Sequence, residues 1–171
     1  STSMSRYCGM RYGKQDGDYT LESDEFFTSV RTKHFGTSAK KTIILGTYMR
    51  MEGTRERYYN KARMVRELII DEYRSALKEC DVILTPTTES VAPLISETSK
   101  MSMTESFSAD RFTAPPDMAG MPVLSVPCGY DENGMPMGLM FVADHNEENK
   151  LFALCETWSK KFDMRKPEAI R

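Results

Sequence analysis

The clearest periodic stretch of the chain is residues 54 to 79, TRERYYNKARMVRELIIDEYRSALKE. Tyr58, Ala62, Val65, Ile69, Tyr73 and Leu77 recur near helical spacing, with Arg, Lys and Glu between them and no Gly or Pro. This pattern predicts one long amphipathic helix that buries a single stripe. Cys80-Asp81 close it, and Val82-Ile83-Leu84 follow as a short, wholly apolar strand ended by TPTTES. An apolar strand directly after a helix predicts a covered sheet, mixed or parallel.

The remaining elements are weaker. Residues 1–20 are rich in Gly and Tyr and predict an irregular opening segment. Thr20 to His34 predicts a helix, with Thr20 or Ser23 able to cap it and Asp24 and Glu25 in its first turn. Lys40 to Met49 is apolar after a basic pair, with Gly46 inside it, and periodicity leaves helix and strand open. Residues 86 to 108 predict a long polar loop, with a short helix near Thr104 to Phe112. Beyond Pro115-Pro116 and an Ala-Gly turn, Val123 to Val126 predicts a second buried strand, limited by Pro122 and Pro127. Asp131 to Gly134 predicts a hairpin turn, Met137 to Val142 the return strand, and Asn146 to Phe162 a final helix. That helix aligns Leu151, Leu154, Cys155, Trp158 and Phe162 on one side. No repeat or linker divides the chain, so residues 1–171 are expected to form a single domain.

Composition narrows the classes. Charge is nearly balanced, 23 Lys/Arg against 25 Asp/Glu, which argues against a broad nucleic-acid or membrane surface. No run approaches the ~18 to 20 apolar residues of a membrane span. The first residues, STSMSRYCGMRYG, contain no initiator Met and no targeting pattern, so the chain is expected to start inside a longer product. Cys8, Cys80, Cys128 and Cys155 are widely spaced, without a CxxC and far from His34 and His145. They are expected to be reduced thiols in an intracellular compartment, cytoplasm and mitochondrion being indistinguishable, and not a zinc site. No cofactor motif is present.

Five segments together carry a family pattern: RYCGMRYG at 6–13, ILGTY at 44–48, YYNKARMVR at 58–66, DVILTPTT at 81–88, and AGMPVLSVPCGY followed by GMPMGLMFVA across 119–143. In this order the chain resembles the C-terminal part of the amidase-signature family. Within it, the likeness is to the A-subunit branch of the glutamyl-tRNA(Gln)/aspartyl-tRNA(Asn) amidotransferases. The resemblance implies part of an α/β/α sandwich around a mixed sheet, incomplete on its own. It also implies amide hydrolysis by a Ser nucleophile activated through a second Ser and a Lys, with a Gly/Ser-rich oxyanion hole. No GGSSGGS-like run occurs here, so no catalytic residue is expected in this chain.

The resemblance assigns two substrate-side positions. An acid that takes the α-ammonium of glutamine falls on Asp110; the same residue in SADRF also suits a loop Asp or a helix cap. An Arg that takes the α-carboxylate falls on Thr42, with Lys41 beside it. A hydroxyl cannot replace a bidentate, permanently charged fork. Lys41 is a solvated charge or a substitute partner, and Thr42 marks a degenerated position. Cys128 in VPCG is expected to be a packing residue, and Asp117 a turn residue.

Two functions are therefore expected, beside the plain alternative that the sequence is a fragment of a longer protein. One is the C-terminal half of an amidase or amidotransferase A-subunit-like protein, active only with a complementing N-terminal half or with B- and C-type subunits, and reaching tRNA only indirectly. The other is a catalytically dead remnant serving as a structural component of a larger, organellar complex. Apolar strands covered by the helix 54–79 on one side only are expected to leave one face of the sheet open and the free chain unstable.

Overall fold

The computed structural model describes residues 2–98, 100–102, 105 and 108–162. The chain divides into two compact units, Ser1–Arg63 and Met64–Arg171.

In the first unit, a 3₁₀ turn at Ser3–Arg6 precedes α1, Ser23–His34. Neither Thr20 nor Ser23 caps α1: the cap is Glu22, in extended conformation and without a side-chain hydrogen bond. The Thr20 hydroxyl and backbone N–H instead donate to Asp18 Oδ1, at 2.6 and 2.9 Å, so a local turn takes the capping group. The opening segment packs on α1 through glycine. A Cβ on Gly9 would lie 2.6 Å from Val30 Cγ1, and Phe26 and Val30 are the buried residues of the helix. The ambiguous apolar segment is helical, α2 at Thr37–Tyr48. Its internal hydroxyls bond backward within the helix, Thr42 to Ser38 O at 3.0 Å and Thr47 to Ile43 O at 2.9 Å. No residue of α2 is buried.

The long predicted helix is interrupted. A π turn at Glu56–Asn60, with Asn60 N–H donating to Arg55 O at 2.9 Å, leads into α3, Lys61–Ala76. The wider turn adds a residue and rotates Tyr58 off the stripe. Ile69, Ile70, Tyr73 and Leu77 pack on the core, whereas Val65 and Ala62 stay exposed.

The second unit is built on a three-stranded sheet of order β1–β3–β2, with β1 at Ile83–Pro86, β2 at Val123–Tyr130 and β3 at Pro136–Val142. Both pairings are antiparallel, so the described strands do not by themselves make the expected mixed sheet. The hairpin turn forms as the sequence predicts: Gly134 N–H donates to Asp131 O, and Asp131 Oδ1 accepts from the N–H of Asn133 and Met135. Gly134 supplies the left-handed φ of 76° that the turn needs. Pro127 does not end β2, which continues to Tyr130 through a register shift between Pro127 and Gly129. β2 lies at an edge of the described sheet, where a missing N–H is tolerated, and Cys128 is the extra residue of the bulge.

A one-turn helix, α4, spans Ile95–Thr98 in the polar loop. The short helix expected near Thr104 to Phe112 falls in part on residues 104, 106 and 107, outside the described residues. Pro115 and Pro116 do not make a plain turn: they open a short helix, α5 at Ala114–Ala119, which Gly120 closes in left-handed conformation (φ 74°). The final helix, α6, spans Glu148–Lys161.

The central strand β3 is packed on both faces, where an open face was expected, whereas Leu84 on β1 and Val123 on β2 stay exposed at 53% and 46%. On one face Met140 and Val142 pack with Ala119 and Met121 beneath Ile69, Ile70, Tyr73 and Leu77 of the α3 side. On the other, Val126, Phe141 and Ala143 pack on Leu151, with Leu154, Cys155 and Trp158 of α6. Residues 151, 154, 155 and 158 share one helical face, and this is why α6 closes the side that α3 cannot reach. Trp158 Nε1 donates to Pro127 O at 2.9 Å, and its ring meets Phe141 edge-on at 5.9 Å. The result is an α/β/α arrangement built on these strands alone.

Candidate functional site

The substrate-side positions lie in different units, Lys41 and Thr42 on α2 and Asp110 ahead of α5. On α2, adjacent residues point about 100° apart. Thr42 commits its hydroxyl to Ser38 O, and Lys41 follows the stripe of Ile44, Leu45 and Tyr48. Lys40 is tied to Thr32 O at 2.8 Å, while Lys41 is exposed and pairs with no acid among the described residues. The helix therefore presents one available ammonium and no fork at this position.

Asp110 is exposed. Its carbonyl accepts from Ala114 N–H at 2.8 Å and from the Thr113 hydroxyl at 3.3 Å, whereas its carboxylate caps nothing among the described residues. The neighbouring Arg111 is engaged with Glu89 at 2.8 Å. Asp110 thus keeps a free carboxylate that could accept hydrogen bonds from an ammonium group.

The sheet carries polar groups that the motifs did not single out. Thr85 and Thr87 stand two residues apart, hence on one face of β1 and its extension, and Ser125 stands on β2 across the central strand. The Thr87 and Ser125 hydroxyls meet at 2.7 Å above Gly138, where a Cβ would come within 2.9 Å of Thr87 Oγ1. Thr85 Oγ1 is buried without a partner among the described residues. The signal was present in TPTT as alternating hydroxyls, the period of a strand face.

No nucleophile–base pair is built among the described residues. Cys128 is half-buried at the bulge with no base bonded to it, and all four cysteines are free thiols. Burial against the sheet pushes the Cys155 thiol up, away from thiolate character. Asp117 uses its backbone to hold the α5 end, its carbonyl accepting from Gly120 N–H at 3.0 Å. Among the described residues no group of three or more His, Cys, Asp or Glu could hold a metal ion. Among them, too, no helix is long and apolar enough to cross a membrane.

Comparison with known proteins agrees with this architecture. The family described as Amidase matches residues 1–152. The A subunit of glutamyl-tRNA(Gln) amidotransferase from Syntrophus aciditrophicus is 38% identical over 170 residues, covering 99% of this chain and 35% of the relative. Its counterpart from Chlorobium phaeobacteroides is 40% identical over 155 residues, covering 90% and 32%. The chain thus spans about a third of the length of the curated relatives it matches. Among solved structures, the A subunit of glutamyl-tRNA(Gln) amidotransferase from Thermotoga maritima superposes with a TM-score of 0.54 at 31% identity, over 86% of this chain and 30% of that one. The 6-aminohexanoate cyclic dimer hydrolase, at 18% identity and a TM-score of 0.55 over 94% of this chain and 31% of that one, shares the fold. By the extent of these matches the chain belongs to the Amidase family.

Proposed function

We propose that residues 1–171 are one partial domain, the C-terminal portion of an amidase of the amidotransferase A-subunit type. It contributes a substrate-side wall to amide hydrolysis with ammonia transfer, and a complementing chain supplies the Ser-Ser-Lys set. What supports this reading most is apolar surface pointing outward on helices that are otherwise well formed. Ile44 on α2 and Met64 on α3 are each 70% exposed, and Leu68 is 63% exposed. Met64 and Leu68 lie on the side of α3 opposite Ile70 and Tyr73, so this helix carries apolar groups on two faces. A helix apolar on two faces belongs to a middle layer. Relatives about three times as long have the chain to cover it. In this reading Asp110 is the group that takes the α-ammonium of the substrate, Lys41 is the cation left to take its carboxylate in place of an Arg, and the nucleophile and oxyanion donors come from the other chain.

A second reading rests on Thr42. Its hydroxyl is spent on Ser38 O at the position where the resemblance places an Arg, which favours a catalytically inactive protein retained in a larger complex.

Purification of the native protein with its stoichiometric companions decides between them. A companion containing a GGSSGGS-like run, with glutamine-dependent ammonia release by the pair, supports the first reading. A stoichiometric complex without such a chain and without ammonia release supports the second. Ammonia release by the pure 171-residue chain, abolished by a substitution within it, overturns both. In a reconstituted pair, Asp110→Ala weakens glutamine binding and Thr42→Arg strengthens it by about 1 to 3 kcal/mol. Equal calorimetric affinity across the three proteins removes these positions from the site.

A further inference from the structure

The opening segment and α1 enclose a cavity of about 330 Å³ that the amidase reading leaves unused. Its walls include Tyr7, Lys14, Val30, Arg31, His34 and Phe35. Two glycines build it. Gly9 and Gly13 adopt left-handed φ of 82° and 87°, which folds the Tyr7–Lys14 segment back over the helix. The approach is so close that a Cβ on Gly9 would lie 2.6 Å from Val30 Cγ1.

Charge distinguishes this cavity. None of its lining residues is acidic. Lys14 and Arg31 have no carboxylate partner among the described residues; the Arg31 guanidinium lies 5.2 Å from the centre of the Phe35 ring. The nearby acid, Asp16, does not compensate them, because Lys33 and His34 already occupy its carboxylate at 2.9 and 2.5 Å. The lining therefore carries two uncompensated positive charges beside an apolar wall of Val30, Phe35 and Tyr7. A single carboxylate would neutralise half of that charge. A phosphate monoester carries about −1.5 to −2 at pH 7 and three acceptor oxygens, which matches it.

We propose that this cavity binds a small organic phosphate monoester, its phosphate between Lys14 and Arg31 and its apolar stem against Val30 and Phe35. The volume suits a one-ring compound, at the lower end of the usual range for ligand cavities.

The test is calorimetric titration of the full 171-residue chain with phenyl phosphate, inorganic phosphate and benzoate. Phenyl phosphate is expected to bind with a Kd on the order of 1 mM or tighter. Inorganic phosphate, lacking the stem, and benzoate, lacking the second charge, are each expected to bind several-fold more weakly. Arg31→Gln and Lys14→Gln are each expected to weaken phenyl phosphate about 10-fold. Lys160→Gln, a control at the far end of the chain, leaves it unchanged, and far-UV circular dichroism verifies that helix content is kept. Absence of saturable phenyl phosphate binding overturns the proposal. So does benzoate binding as tightly as phenyl phosphate, or full affinity in the Arg31→Gln/Lys14→Gln double variant.

Discussion

The two units put apolar sequence to different ends. In Met64–Arg171, a three-stranded sheet gathers Met140, Phe141, Val142 and Ala143 into one strand end and clothes them from both sides. In Ser1–Arg63, α2 carries Ile43-Ile44-Leu45 and buries none of them, and the buried helix residues are Phe26 and Val30 of α1. Apolarity along a segment is thus not burial. A strand ladder brings residues 83, 123 and 142 together across the sequence and creates two faces for helices to cover. A helix pair organised by local hydrogen bonds creates no such surface within its own unit.

Several substitutions would break or sharpen this contrast. The largest effect is expected from Val142→Asp, since Val142 is fully buried and faces Ile83 and Val123. An unpaired charge there costs more than about 4 kcal/mol and removes the cooperative unfolding transition of the sheet unit. Fluorescence of Trp158, the chain's single tryptophan, reports it. In the first unit, Gly9→Ala is expected to cost about 1 to 3 kcal/mol, through the clash with Val30 and the left-handed φ, in a far-UV melting experiment. Trp158→Phe keeps a ring against Phe141 but loses the hydrogen bond to Pro127 O, for about 1 kcal/mol in urea denaturation.

The pH response of the opening segment is a smaller effect. Hydrogen bonds from Lys33 and then His34 hold the Asp16 carboxyl at about 2, against an ordinary 3.8. A lowered pKa means that the ionised form stabilises the fold above the ordinary value and that this contribution is lost as pH falls from about 4 through 2. Asp16→Asn is expected to bring to neutral pH the lower stability that the unsubstituted chain shows in acid, and to flatten the acid-side change, in far-UV melts recorded between about pH 2 and 7. The smallest stability effect belongs to Ile44→Glu and Leu68→Glu, expected within about 0.5 kcal/mol in the free chain because neither side chain is buried. Both are expected to suppress self-association in analytical ultracentrifugation and to prevent assembly with a complementing chain. A large loss of stability from either would show that these helix faces are packed in the free protein.

Much of this architecture could be read from local pattern. The DENG turn, the 148–161 helix with its 151/154/155/158 face, and the strands around Ile83, Val123 and Val142 each follow from periodicity and turn chemistry, which act over a few residues. The amidase likeness likewise lay in the order of short segments such as DVILTPTT and AGMPVLSVPCGY. Other features depend on what meets what in space. The π turn at 56–60 left no mark in an uninterrupted helical pattern, and only the extent of the sheet and α5 settles which residues of α3 are covered. Pro127 ends a strand by local rules, yet β2 runs on because its position at an edge relieves it of a ladder bond. The second cover of the sheet comes from α6, which directly follows β3; its 151/154/155/158 stripe marks a buried side, but only the folded sheet decides that this side meets Val126, Phe141 and Ala143 and not the face that α3 covers. The cationic cavity has the same origin: Lys14 and Arg31 become neighbours only when two left-handed glycines fold the opening segment onto α1, and a charge has no local pattern that announces its partner's absence.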